Sequence, residues 1–164
     1  MDWLKLALRK GNSFSQLDRG ARGLVLQALV LLLFVALSLK TSGLKVTQNR
    51  LGYWLPAQVN GDRPNEDERE QLERVRAIAQ SVRIAAKYCQ PWAKCLQKSL
   101  VLWSLLTRQG IESDLRIGVR RESGEFQAHA WVEWQGFALN DARDVRDRYS
   151  TFEHPIQNKS ARSV

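Results

Sequence analysis

The sequence predicts an α+β domain, with helices first and an antiparallel sheet after them. Apolar residues recur at helical spacing in two successive stretches between Asn65 and Gln109, and alternation takes over from Leu115 to Asp141. An apolar run, Gly23 to Leu39, adds a helical region ahead of that domain. The expected layout is an N-terminal helical region over residues 1–57, the α+β domain over 61–149 and a C-terminal tail over 150–164.

The Gly23–Leu39 run is interrupted by Gln27, and its 17 residues are the short limit for crossing a bilayer. Arg19 and Arg22 precede it and Lys40 and Lys45 follow it, so flanking charge sets no orientation. It begins too late for a signal peptide, and no small-residue cleavage pattern ends it. A buried or interfacial helix and a membrane span both fit. The expectation is a cytoplasmic protein with membrane association through residues 23–39.

Charge points the same way. The net charge of +8 is concentrated at the N-terminus, where residues 1–60 carry eight Lys/Arg against two acids. Residues 61–164 carry seventeen against fifteen. Such a distribution suits a membrane surface or an acidic partner. Zinc-finger spacing and basic-aromatic RNA signatures are both missing, so no nucleic-acid partner is expected. The two cysteines, Cys89 and Cys95, are too few for a disulfide framework.

The turn-rich connector Asn60–Asn65 separates the two sections. Asn65 is a candidate cap for the next helix, with Glu68 three residues on. Leu72, Val75, Ile78, Ala79, Val82 and Ala86 form its apolar stripe, and it should end before Pro91. The following helix should begin near Pro91 or Ala93 and run to Gln109, with Gly110 as its stop. It is apolar almost all round, so it should be central and buried.

Leu115, Ile117 and Val119 mark the first strand, and a turn at Glu122–Glu125 reverses the chain. In the second strand, Phe126, Ala128, Ala130, Val132 and Trp134 share one face, and Gln127, His129, Trp131 and Glu133 the other. A third short strand is expected from Phe137 to Asp141, and the end of the chain reads as solvated and frayed.

Three residues carry candidate chemistry. Cys95 falls at the start of the buried helix, where free backbone N–H groups, the helix dipole and Lys94 favour a thiolate. A cysteine in an apolar helix also fits plain core packing. His129 lies mid-strand on the less apolar face, where a structural histidine is the competing reading. The position of Gly136 favours a three-residue loop, Trp134–Gly136, which would set His129 directly opposite Asp141 and let the carboxylate orient the imidazole. A two-residue loop would put the pair on opposite faces. Asp141 also suits a cap or turn. Gln90 is a weak candidate oxyanion donor, and Cys89 reads as a small apolar filler. A metal site from Cys89, Cys95, His129 and His154 is disfavoured, because the cysteine spacing is not a standard zinc pair.

The stretches Lys94-Cys-Leu-Gln-Lys-Ser-Leu, Leu115-Arg-Ile-Gly-Val, Ala128-His-Ala-Trp-Val-Glu and Leu139-Asn-Asp resemble the transglutaminase-like family of lasso-peptide leader peptidases. The likeness is strongest over residues 89–141. It implies a transglutaminase/papain-like core in which a central helix bearing Cys95 packs on the sheet. It also implies a Cys95–His129–Asp141 triad that cuts a leader from a small precursor peptide. No cofactor is implied for the chain itself, and ATP enters through the maturation complex. The implied partners are the precursor peptide, a separate leader-binding protein and an ATP-dependent macrolactam cyclase. The same triad would also serve acyl transfer to an amine, and a membrane-associated adaptor without activity is the non-enzymatic alternative.

Overall fold

The computed structural model describes residues 19–54, 67–90, 92–122 and 124–152 of the chain. Its first helix, α1 (Arg19–Trp54), is not one rod. Gly43 has φ 76° and ψ −178°, a conformation open to glycine because it lacks a Cβ. Beyond it the Thr47 hydroxyl reaches Ser38 Oγ at 2.9 Å, and Arg50 Nη1 donates to the same oxygen at 3.4 Å. A continuous helix, rising about 1.5 Å per residue, would hold those groups more than about 10 Å apart. The chain therefore turns back at Gly43.

Before that turn, Val25, Ala28, Leu32 and Val35 are buried at helical spacing. Leu26, Val30, Leu33 and Leu37 stay exposed. The apolar run is thus packed along one side only.

Helix α2 (Glu68–Tyr88) follows, with Glu68 and Glu70 in its first turn favouring the positive end of the dipole. Asp67 occupies the cap position without a side-chain cap bond, and Asn65, the expected cap, lies outside the described residues. Val75, Ile78, Val82, Ala85 and Ala86 are its buried stripe.

Helix α3 (Cys95–Arg108) starts later than the sequence suggests. Trp92 and Ala93 both donate their N–H groups to the Cys89 carbonyl, at 2.8 and 3.1 Å. That turn occupies the chain up to Lys94, so Cys95 becomes the first helical residue. The far end stops as expected. Gly110 has φ 72°, its N–H reaches Thr107 O at 3.0 Å, and Ile111 N–H reaches Leu106 O at 3.0 Å. This is a Schellman closure. Every residue from Ser99 to Leu106 is buried, as a central helix requires.

The sheet is antiparallel, as predicted. Strand β1 (Asp114–Glu122) pairs with β2 (Glu125–Trp134), setting Leu115 against Val132 and Gly118 against His129. Strand β3 (Phe137–Ala138) is shorter than expected and ends well before Asp141. A short helix α4 (Val145–Arg148) and a strand β4 (Ser150–Thr151) then appear in a stretch that composition marked as charged and frayed. Val145 is fully buried, and β4 pairs with Gly118 and Val119, so local charge does not decide this segment. The strand order is β3-β2-β1-β4.

One apolar cluster joins Val25, Leu32 and Leu51 of α1 to Val82 of α2, Leu102 of α3 and Val132 of β2. At roughly 1.5–3 kcal/mol for each fully buried large aliphatic side chain, this cluster is the main stabilising element.

Candidate active site

The hairpin joining β2 to β3 departs from the expected register. Trp134 pairs with Phe137 and Glu133 with Ala138, leaving a two-residue loop, Gln135–Gly136. Both loop residues have positive φ, 47° and 82°, as a type I′ turn requires. Glutamine rarely adopts that conformation, so a single glycine suggested a longer loop. Continued in this register, Asp141 would face Ala130 and lie on the side of the sheet away from His129.

The structure avoids that outcome with a bend. Leu139 N–H donates to Val132 O at 2.9 Å. On the next rung Val132 N–H is taken at 2.8 Å by the side-chain Oδ1 of Asn140 instead of a backbone carbonyl. The chain thereby leaves the ladder and carries Asp141 round to His129, whose Nε2 meets Asp141 Oδ2 in a short contact. Asp141 Oδ1 accepts Ala142 N–H at 2.8 Å and Arg148 Nη2 at 3.0 Å. Burial pushes the Asp141 pKa up, but bonds from His129, Ala142 N–H and Arg148 outweigh it and hold the carboxyl below its ordinary value. The pair expected from sequence is present, although the route to it is different.

With Nε2 engaged, Nδ1 is the His129 nitrogen left to move a proton. The ring is clamped by Tyr149, stacked at 5.0 Å between centroids, with Trp131 at 6.1 Å. Tyr149 approaches because the strand opposite His129 carries Gly118, where a Cβ would come 2.9 Å from Tyr149 Cβ and 3.0 Å from the Trp131 ring.

Two anchors fix the path of α3. Ser99 Oγ donates to Ala130 O at 2.9 Å and accepts from Asn140 Nδ2 at 2.9 Å. Trp103 Nε1 donates to Ser113 O at 3.2 Å, just before Asp114, the partner of Glu133. The helix therefore runs along β2 with its C-terminal end toward Glu133 and its start beyond Ala130. Cys95, one turn before Ser99 on the same helix face, lies at the His129 end of the strand, half-buried and free.

Glu133 has a larger role than its position on the less apolar face of β2 suggested. It is only 3 % exposed and accepts from Trp131 Nε1 at 2.8 Å, Arg146 Nε at 2.6 Å and Arg116 Nε at 3.1 Å. Burial pushes its pKa up, but the Arg146 and Trp131 hydrogen bonds and the charges of Arg146 and Arg116 bring the carboxyl below its ordinary value. The available signal was an acid two residues from Trp131, with Arg116 across the strand pair. Arg146 could not be found that way, because it arrives from the segment expected to fray.

Gln90 and Asp141 line the same groove, about 720 Å³ in volume, between α2, the start of α3 and the β3 edge. Cys89 packs against the core, and burial raises its thiol pKa. Among the described residues, no cluster of three or more His, Cys, Asp or Glu side chains is placed to hold a metal ion; His154 lies outside them. Among the described residues, one helical stretch, Gly20–Tyr53, is apolar and long enough to cross a membrane by length and composition, and it is the stretch that turns back at Gly43.

The His129–Asp141 pair on β2 and the free cysteine that begins α3 are residue types that nucleophilic acyl chemistry uses. Residues 38–153 match the family model described as the transglutaminase-like superfamily. Over 56 residues the chain is 41% identical to the microcin J25-processing protein McjB of Escherichia coli. That similarity covers 34% of this chain and 26% of the relative, so the chain matches about a quarter of that protein's length. No solved structure matches significantly. The family model covers well over half of the sequence, and the chain belongs to the transglutaminase-like superfamily.

Proposed function

We propose that the protein is a cysteine peptidase that removes the leader from a ribosomally made precursor peptide during lasso-peptide maturation. The observation that carries this reading is the His129–Asp141 pair, anchored through Asn140 and Ser99 to the helix that begins at Cys95. The similarity to a microcin-processing protein supplies the substrate class.

In this mechanism Cys95 Sγ attacks the scissile carbonyl while His129 takes the thiol proton. His129 then returns that proton to the departing amine, leaving a thioester that water resolves. Asp141 holds the ring and stabilises the imidazolium. Gln90 is the side-chain candidate for the oxyanion, supported by its place in the groove beside Asp141. A leader-binding protein and an ATP-dependent macrolactam cyclase complete the proposed system. ATP acts in that complex and not on this chain. The exposed stripe Leu26, Val30, Leu33 and Leu37 supports attachment to a membrane surface.

Mass spectrometry of the protein mixed with its precursor and a leader-binding partner tests the proposal. Free leader should accumulate, and Cys95→Ala should reduce its release to background. Asp141→Asn should keep the fold and slow the reaction. Unchanged release by folded Cys95→Ala protein would rule out the cysteine mechanism. An amine-linked product in place of free leader would move the assignment to acyl transfer.

A further inference from the structure

We infer that the groove between α2 and the edge of β3 binds an extended, acidic segment of the substrate peptide next to the bond that is cut. The inference rests on the peptidase reading for the identity of its occupant. One wall of the groove is a row along α2, where Arg76, Gln80, Arg83 and Lys87 are exposed on one face. At about 1.5 Å per residue the row from Arg76 to Lys87 spans roughly 16 Å, the length of about five residues of extended peptide. Lys98 of α3 adds a further cation, and Asp141 is the one acid among the described lining residues. The Asp141 carboxylate is already engaged by His129, Ala142 N–H and Arg148. Arg76, Arg83 and Lys98 therefore give the groove a positive lining.

The other wall supplies backbone. Strand β3 is at the edge of the sheet. Leu139 turns its N–H inward to β2, so by strand alternation Ala138 presents its N–H and C=O outward, and Ala138 lines the groove. A peptide laid there can pair as an added strand while its carboxylates reach the α2 row. The floor is small and apolar, with Ala79, Val82 and Ala86 leaving room for a main chain. Asn140 and Asp141 also line the groove, so a peptide bound in it lies beside the carboxylate that His129 engages.

Binding is measured by fluorescence anisotropy on the full chain carrying Cys95→Ala, so that turnover plays no part. The probes are fluorescein-labelled peptides of three Glu–Ala, three Gln–Ala or three Lys–Ala repeats. The Glu–Ala peptide should bind at least about tenfold more tightly than the Gln–Ala peptide. The double reversal Arg76→Glu/Arg83→Glu should weaken Glu–Ala binding about tenfold or more and gain binding of Lys–Ala. The reversal Arg121→Glu, an equal step in charge at the remote β1–β2 hairpin, should change it by less than about twofold. Arg83→Gln alone, expected to weaken binding about threefold, keeps the test decisive if the double variant does not fold. Equal binding of Glu–Ala and Gln–Ala overturns the inference. So does an equal loss with Arg121→Glu, or displacement of the Glu–Ala peptide by a short oligothymidylate at equal or lower concentration. Groove binding without leader release would sink the peptidase reading alone. Leader release with no acidic preference would sink the groove alone.

Discussion

Strand β2 is buried on both faces toward its C-terminal end, and opposite chemistry fills the two sides. Ala130, Val132 and Trp134 turn toward the helices, where Val132 and Trp134 join the apolar core. His129, Trp131 and Glu133 turn toward Tyr149, Arg116 and Arg146, which close that side with rings and charge. The apolar face supplies burial free energy, which is non-directional and tolerant of shape. The polar face supplies orientation, because each bond there fixes the angle of a side chain near His129. Stability and geometry are thus assigned to opposite sides of one strand.

Substitutions on the two faces should therefore fail in different assays. The largest effect is expected for His129→Ala, which should lower leader release by about a thousandfold while the thermal midpoint hardly moves. A folded His129→Ala protein with near-normal release would break the division. Leu115→Ala, opposite Val132 in the core, should cost about 3 kcal/mol in urea unfolding and leave the rate per folded molecule unchanged. Glu133→Gln should do some of each, removing about 2 kcal/mol of stability and slowing release, because Trp131 and Arg146 lose the charge they hold.

The pH dependence follows from the direction of the shifts. The folded pKa values of Glu133 and Asp141 lie below their ordinary 4.5 and 3.8. Their contribution is fully present above those ordinary values and is lost as pH falls through the folded ones. Acid unfolding followed by circular dichroism should show this loss, and Glu133→Gln should flatten it. The smallest effect is expected for Gly118→Ala, whose methyl group should push Tyr149 away from His129 and cost about 1 kcal/mol. It should shift the pH–rate profile of leader release more than it shifts the unfolding midpoint.

The apolar face was the legible one. Its helices, the Gly110 stop and the β1–β2 pairing follow from periodicity, which reports burial directly. The polar face was legible only in its members. His129 and Asp141 could be named because a histidine in a strand and an acid twelve residues on have a shared use. The turn between them could not be assigned, because Gln135 accepts a positive φ that its residue type disfavours. Arg146 and Tyr149 were hidden because a charged segment carries no periodic signal. They are ordered by Val145, buried beneath them, and by two residues of β4 pairing with β1.

The side-chain rung made by Asn140 has a mechanical consequence. Beyond Leu139 the arm that carries Asp141 is clasped to the sheet and helix by two hydrogen bonds from a single amide side chain. Each such bond has a net worth of about 1 kcal/mol. Unfastening the clasp needs no unzipping of the β2–β3 turn, no slip in register and no loss of core. The carboxylate is therefore placed by side-chain bonds beyond the end of the backbone ladder, and its position does not depend on the register of the hairpin beneath.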